Sequence, residues 1–254
     1  MCQHKQACIQ RMQQTFQDSI VPNIHWVQET PPLGDLISQD GVRAIITTIH
    51  RRGWGVKEML QQASITNVDQ LETNIRQEIT EYNNGNHNIV IPLHDVRLQN
   101  DPLLRIFIKI QVWGGRTGRY IFFRNGGLNW ETVRPFYEDL IAVCTNQNST
   151  IEHLKQAGIT FHEQVDYLGI AFITKHIHFW TQVLPNGNSL PIFDSGMSDG
   201  FGFGRQPQWR HVDCYWEGMQ QLFATPHGNG PWPNSMDSFE RQLFQYFRAN
   251  PNIH

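Results

Sequence analysis

Lys175 and Asp194 stand 19 positions apart near the two ends of the stretch Tyr167 to Asp194, YLGIAFITKHIHFWTQVLPNGNSLPIFD. Phe172, Ile177, Phe179, Trp180, Val183 and Leu184 recur near a helical period, which predicts a helix carrying Lys175 in its first turn. Pro185-Asn186-Gly187 is a stop signal, and the chain returns through Leu190-Pro191-Ile192-Phe193 to Asp194. A helix and a return loop of this kind bring an amine and a carboxylate together. A lysine with an ordinary pKa of about 10.4 is protonated at neutral pH and is a nucleophile only when that pKa is depressed. A wall of Phe172, Phe179 and Trp180 and the positive end of a helix would depress it, while an ionised Asp194 would oppose the shift. The plain alternative is a partly buried Lys175–Asp194 salt bridge.

The elements that must position this pair read as mainly α. The chain has 254 residues, enough for one domain with two lobes: an N-terminal helical lobe over residues 1–100 and a second helical region over 101–254, or one integrated domain. A hydrophobic fraction of 39% supplies a sizeable core. No apolar stretch is long enough to span a bilayer, and the N-terminus lacks the apolar core of a signal peptide, so the expectation is a cytoplasmic, intracellular protein with no membrane partner. Cys2, Cys8, Cys144 and Cys214 form no CxxC pair and are expected to be free thiols. No metal site and no cofactor is expected: His176 and His178 face different sides of a helix, and the other histidines make no HExxH pattern. The absence of GxSxG speaks against a Ser-His-Asp hydrolase.

In the first hundred residues, Gly41 to His50 and Lys57 to Ala63 read as short helices, and Asn67 caps a longer one through Tyr82 with Val68, Leu71, Ile75 and Ile79 on one face. His87 to Asp95 reads as a strand or packed extended segment. Asp101-Pro102 starts a helix to Trp113, and Gly114-Gly115 stops it. Tyr120 to Arg124 is strand-like, which would make a small β-hairpin. A helix from Glu131 to Cys144 follows, then two capping boxes, Ser149 with Glu152 and Thr160 with Glu163, with Gly158 as the stop between them. After Asp194, Gly200, Gly202 and Gly204 make a run that could cradle a phosphate, though such loops occur in many settings. Helices over about Val212 to Ala224 and Met236 to Phe247 close the chain. The net charge of −3 leaves room for a local basic face, and Arg105 to Trp130 holds Arg105, Lys109, Arg116, Arg119 and Arg124 with no acid.

The Lys175–Asp194 spacing, with Gly169-Ile170, Ala171-Phe172, Thr174-Lys175 and Phe179 around it, resembles the helix-hairpin-helix DNA glycosylases, and among them the 8-oxoguanine DNA glycosylase-like branch. The loop Trp113-Gly114-Gly115-Arg116-Thr117-Gly118-Arg119 and the spacing of Tyr215, Met219, Glu240, Leu243 and Phe244 look like the same branch, so the resemblance covers roughly residues 103–247. The sequence departs from the branch in lacking an evident second hairpin glycine and in placing Pro191 three residues before Asp194. The resemblance implies a two-lobed helical fold with a helix-hairpin-helix element, and a monomer acting on double-stranded DNA that contains a modified base. Lys175 would be the nucleophile at the sugar's anomeric carbon and Asp194 the carboxylate that stabilises positive charge on the sugar. Arg116, Arg119, Gly169, Thr174 and Lys109 would meet DNA, and Phe172, Trp113 and Trp216 would line the base pocket, with Trp209 and Phe244 as further candidates. The implied substrate is an oxidised purine such as 8-oxoguanine. Excision of a hypermodified cytosine from phage DNA, as an antiphage defence, would use the same chemistry with another pocket. A non-catalytic DNA-binding module and a protein-binding helical adaptor are the readings from other classes.

Overall fold

The structure, a computed structural model, describes residues 3–29, 46–47, 49, 56–62, 64–65, 68–85, 101–124, 127–182 and 189–251. Eleven α-helices occur among them: α1 (Gln3–Thr15), α2 (Val56–Gln62), α3 (Val68–Asn83), α4 (Pro102–Trp113), α5 (Tyr120–Phe123), α6 (Trp130–Thr145), α7 (Ile151–Gln164), α8 (Ile170–Thr181), α9 (Ser195–Gly200), α10 (Trp209–Ala224) and α11 (Met236–Ala249). The architecture is mainly α, as the periodicity predicts. Most of the expected segment Gly41 to His50, the segment His87 to Asp95, the cap Asn67 and the stop Pro185-Asn186-Gly187 lie outside the described residues.

Helix α8 is the centre. Every residue from Phe172 to Thr181 is buried, so it has no solvated face and is packed on all sides by α3, α4, α6 and α7. Helices α6 and α7 pair closely, and α8 lies across both. One continuous core runs from Met12 through Leu71, Phe107 and Tyr137 to Phe247, and so crosses the expected boundary at residue 100. The N-terminal helix α1 packs along α10, and the π-helical turn after it, Phe16–Ile20, drops Phe16 against Trp26 and Phe239.

Caps account for several boundaries. Asp101 accepts from the Leu104 backbone at 3.1 Å, with Pro102 opening α4, and its other oxygen accepts from the Trp130 indole. Ser235 caps α11 in the same way. At α7 the cap is Thr150 with His153 in a capping box, one residue on from the expected Ser149, whose hydroxyl instead donates to Val143 O. Gly158 stops nothing. It lies inside the single helix α7, where a Cβ would come within 2.6 Å of the Trp209 ring, so this glycine serves close packing rather than termination. The strand-like Tyr120 to Arg124 is also corrected: Tyr120–Phe123 is a short helix following the 3₁₀ turn Arg116–Arg119. Among the described residues the one β pairing is an isolated bridge between His25 and Asn229, so the expected hairpin is not there. Ile121 and Phe122 face inward side by side, an arrangement a half-exposed strand would not allow.

Candidate active site

A short extended strap, Leu190 to Phe193, passes beside α8 with its backbone buried, and side chains satisfy its polar groups. Leu190 donates its N–H to Thr181 Oγ1 (3.1 Å) and its carbonyl accepts from His178 Nδ1 (2.8 Å). The Trp216 indole donates to Pro191 O (2.8 Å) and the Tyr215 hydroxyl to Ile192 O (3.0 Å). Ile192 N–H donates to Glu240 Oε1 (2.6 Å) and Phe193 N–H to Thr174 Oγ1 (3.1 Å). Buried backbone must be paired, and no neighbouring strand exists among the described residues to pair it, so α8, α10 and α11 supply the partners from their side chains. The last of these bonds sets the register of the site: Thr174, one residue before Lys175, is tied to Phe193, one residue before Asp194.

Lys175 is 8% exposed. Its Nζ donates to Ala171 O at 3.3 Å and stands 5.0 Å from the centre of the Phe172 ring. Lys175 lies in the second turn of α8, not the first, so the helix end acts on it less than expected. Burial still pushes its pKa below the ordinary 10.5, against the nearby charges of Asp194 and Glu240, which raise it. No ion pair within 4.0 Å joins Lys175 to Asp194. Instead Asp194 Oδ1 accepts from the Met197 backbone at 3.0 Å and caps α9, leaving Asp194 half-buried beside the amine. The glycine-rich run after it divides: Gly200 ends that short helix, packed under Phe247, while Gly202 and Gly204 lie in the turn beyond it with φ of +72° and +92°.

Glu240 is the third ionisable group here. It is buried, and desolvation, Asp237 and Asp194 hold its pKa well above the carboxylate range, against the Ile192 amide and Arg241.

Two aromatic rings flank the pair. Phe172 lies on the Lys175 side, and the loop after α4 closes over it: a Cβ at Gly114 or Gly118 would meet its ring at 2.3 or 2.9 Å. Phe244 lies on the Asp194 side, against Gly196. Beyond Phe244, a cavity of about 260 Å³ is lined by Ser195, Gly196, Arg205 and Arg248 among others.

The other residues expected at the site divide. Gly169 is exposed at the start of α8 and a Cβ there would meet no described residue within 4 Å, so the backbone is open to an approaching partner. The turn before it places its positive φ (+62°) on Tyr167, which is 46% exposed. Arg124 stacks near Tyr120 and Tyr167, and Arg119 near Tyr120, so arginines and aromatic rings gather beside this turn. Arg116 opens the 3₁₀ turn, and its side chain is outside the described residues.

Four expectations are overturned. Lys109 cannot meet DNA: it is fully buried, 2.8 Å from Glu78, which also pairs with Arg105 at 3.0 Å. Thr174 is fully buried and spends its hydroxyl on the strap. Trp113 packs edge-on against Phe179, and Trp216 is a buried strap anchor, so neither lines an open pocket. The basic stretch therefore splits, with Arg105 and Lys109 inside, Arg119 half-buried and Arg124 exposed. Glu240 and Tyr167 are not legible as site residues, and Arg124 reads only as one cation of the basic stretch, because their placement depends on which helix faces meet.

No family model matches this chain, and neither a curated protein nor a solved structure is significantly similar to it.

Proposed function

We propose that the chain is a DNA glycosylase that takes a modified base out of double-stranded DNA and cleaves its N-glycosidic bond. The observation that carries this reading is the register bond from Phe193 to Thr174. It holds a buried amine, depressed in pKa and without a direct ion pair among the described residues, beside a half-buried carboxylate. In its neutral form, the Lys175 amine attacks the anomeric carbon, and the glycosidic bond breaks with its electron pair leaving on the base, which takes up a proton. Asp194 stabilises the positive charge that develops on the sugar. Loss of the amine's protons and opening of the sugar ring give an imine, from which β-elimination cuts the strand.

In this reading α7, the turn at Tyr167 and α8 act as the hairpin, with the open Gly169 backbone and Arg119 and Arg124 toward the phosphates. The extruded base enters between Phe172 and Phe244, so Phe172 swings off Lys175 as it enters. The substrate is an oxidised purine, by the resemblance of the motif. The test incubates the purified chain with duplexes containing 8-oxoguanine, uracil or glucosylated hydroxymethylcytosine and measures released base by mass spectrometry. Release of 8-oxoguanine that disappears in Lys175→Gln and Asp194→Asn, with DNA binding retained, supports the reading. Binding without release from any duplex would make the chain a DNA-binding module instead.

A further inference from the structure

Away from Lys175, helices α1 and α10 bring two histidines and two cysteines together. His4 and Cys8 are one turn apart on α1, and His211 and Cys214 one turn apart on α10, so each pair presents both side chains to one face. The helices pack along each other on those faces. One ligand atom from each of His4, Cys8 and His211 lies within 4.8 Å of the other two. Cys8 Sγ is 3.6 Å from His4 Nε2. Zinc bond lengths of about 2.3 Å to sulfur and 2.1 Å to nitrogen, at a tetrahedral angle, separate the two atoms by about 3.6 Å. The Cys214 thiol is buried and in contact with Cys8, donating for now to His211 O at 3.1 Å.

A second observation points to a ligand. His211 is 7% exposed and its Nδ1 is buried with no hydrogen-bond partner among the described residues, an uncommon state for a polar atom. We infer that His4, Cys8, His211 and Cys214 form a Cys₂His₂ site for a zinc ion that clamps the N-terminal helix α1 onto α10. A tetrahedral set of two sulfurs and two nitrogens favours zinc over the harder divalent cations. Cys214 reaches the ion by turning its thiol away from the His211 carbonyl. Both thiols lose their protons on binding, so two protons are released per ion and the two thiolates cancel its charge. The centre is then neutral beside Arg11 and Arg210, which flank His211. His4 is exposed and gives the ion its way in.

The full chain, stripped with a chelator and dialysed, is titrated with Zn²⁺ and separately with Co²⁺. The expected result is one ion per chain, release of two protons per zinc, and a thiolate-to-cobalt charge-transfer band. That band is lost in Cys8→Ser and weakened in Cys214→Ser, while Cys144→Ser, a buried thiol elsewhere, leaves it intact. Because Cys8→Ser removes a core group, His4→Gln at an exposed position is the decisive variant: it should fold without zinc as the wild type does and bind zinc at least about tenfold more weakly. Equal zinc affinity in His4→Gln, absence of the charge-transfer band, or an unchanged band in Cys214→Ser would overturn the inference.

Discussion

Replacing Thr174 with valine keeps the shape of a buried, β-branched side chain and removes one hydroxyl. That hydroxyl accepts from Phe193 N–H at 3.1 Å and donates to Ala171 O at 3.2 Å, within helix α8. The Ala171 carbonyl also accepts from Lys175 Nζ and loses little. Phe193 N–H has no other partner among the described residues, and leaving a buried donor unpaired costs about 1–3 kcal/mol. For a chain of this size each kcal/mol lowers Tm by roughly 2–4 °C, so Thr174→Val should melt roughly 2–12 °C below the wild type. The same bond sets the register of Lys175 against Asp194, and a misplacement of about 1 Å at reacting groups costs on the order of 100-fold in rate. Thr174→Val should therefore lose more base release than its folded fraction accounts for, measured in single-turnover assays well below its Tm. Thr174→Ser, which keeps the hydroxyl, should restore most of the rate. A valine variant that melts with the wild type, or releases base at the wild-type rate, refutes the idea that this bond aligns the pair.

Further expectations concern charge, packing and DNA. Lys175 has a folded-state pKa below its ordinary 10.5, so between the two values the unfolded chain binds the extra proton and stability rises with pH; below both, burying the charged amine is a standing cost. Lys175→Met should thus stabilise the fold at neutral pH, with the gain shrinking toward pH 10.5, as denaturant midpoints across alkaline pH will show. Glu240 has the opposite sign: its folded pKa is raised above 4.5, so its contribution is fully present below that value and is lost as pH climbs through the folded pKa. Glu240→Gln keeps an acceptor for Ile192 N–H and should flatten that loss in the same titration. Gly114→Ala drives a Cβ to 2.3 Å from the Phe172 ring, and the displaced ring should uncover Lys175, seen as faster acylation of that lysine by mass spectrometry. Arg124→Gln should weaken binding to every DNA sequence alike and reduce the slope of log affinity against log salt by about 1.

Much of the scaffold is legible in the chain because it is local. The Asp101-Pro102 start, the apolar stripe of α3 and the long helices α6, α10 and α11 follow from caps and period alone. The 19-residue interval to Asp194 is legible too, since a helix followed by a return leaves few ways to place its ends. What is not legible depends on faces that meet at a distance. Lys109 has the composition of a surface cation, and only the approach of Glu78 on α3 makes it a core residue. Thr174 reads as a polar residue for DNA until the strap needs an acceptor. Gly158 reads as a helix stop because the Trp209 ring that fills its missing Cβ is far along the chain. The histidine–cysteine cluster is divided between the first and last parts of the sequence, and neither half makes a familiar metal motif by itself.

The central claim is that the Lys175 amine forms a covalent bond to the sugar. Incubating the chain with an 8-oxoguanine duplex in the presence of borohydride traps any imine as a stable amine, and peptide mass spectrometry locates it. A protein–DNA adduct on Lys175, absent in Lys175→Gln, is the result expected. Base release with no adduct, or an adduct on another amine, would contradict the assignment of Lys175 as the nucleophile.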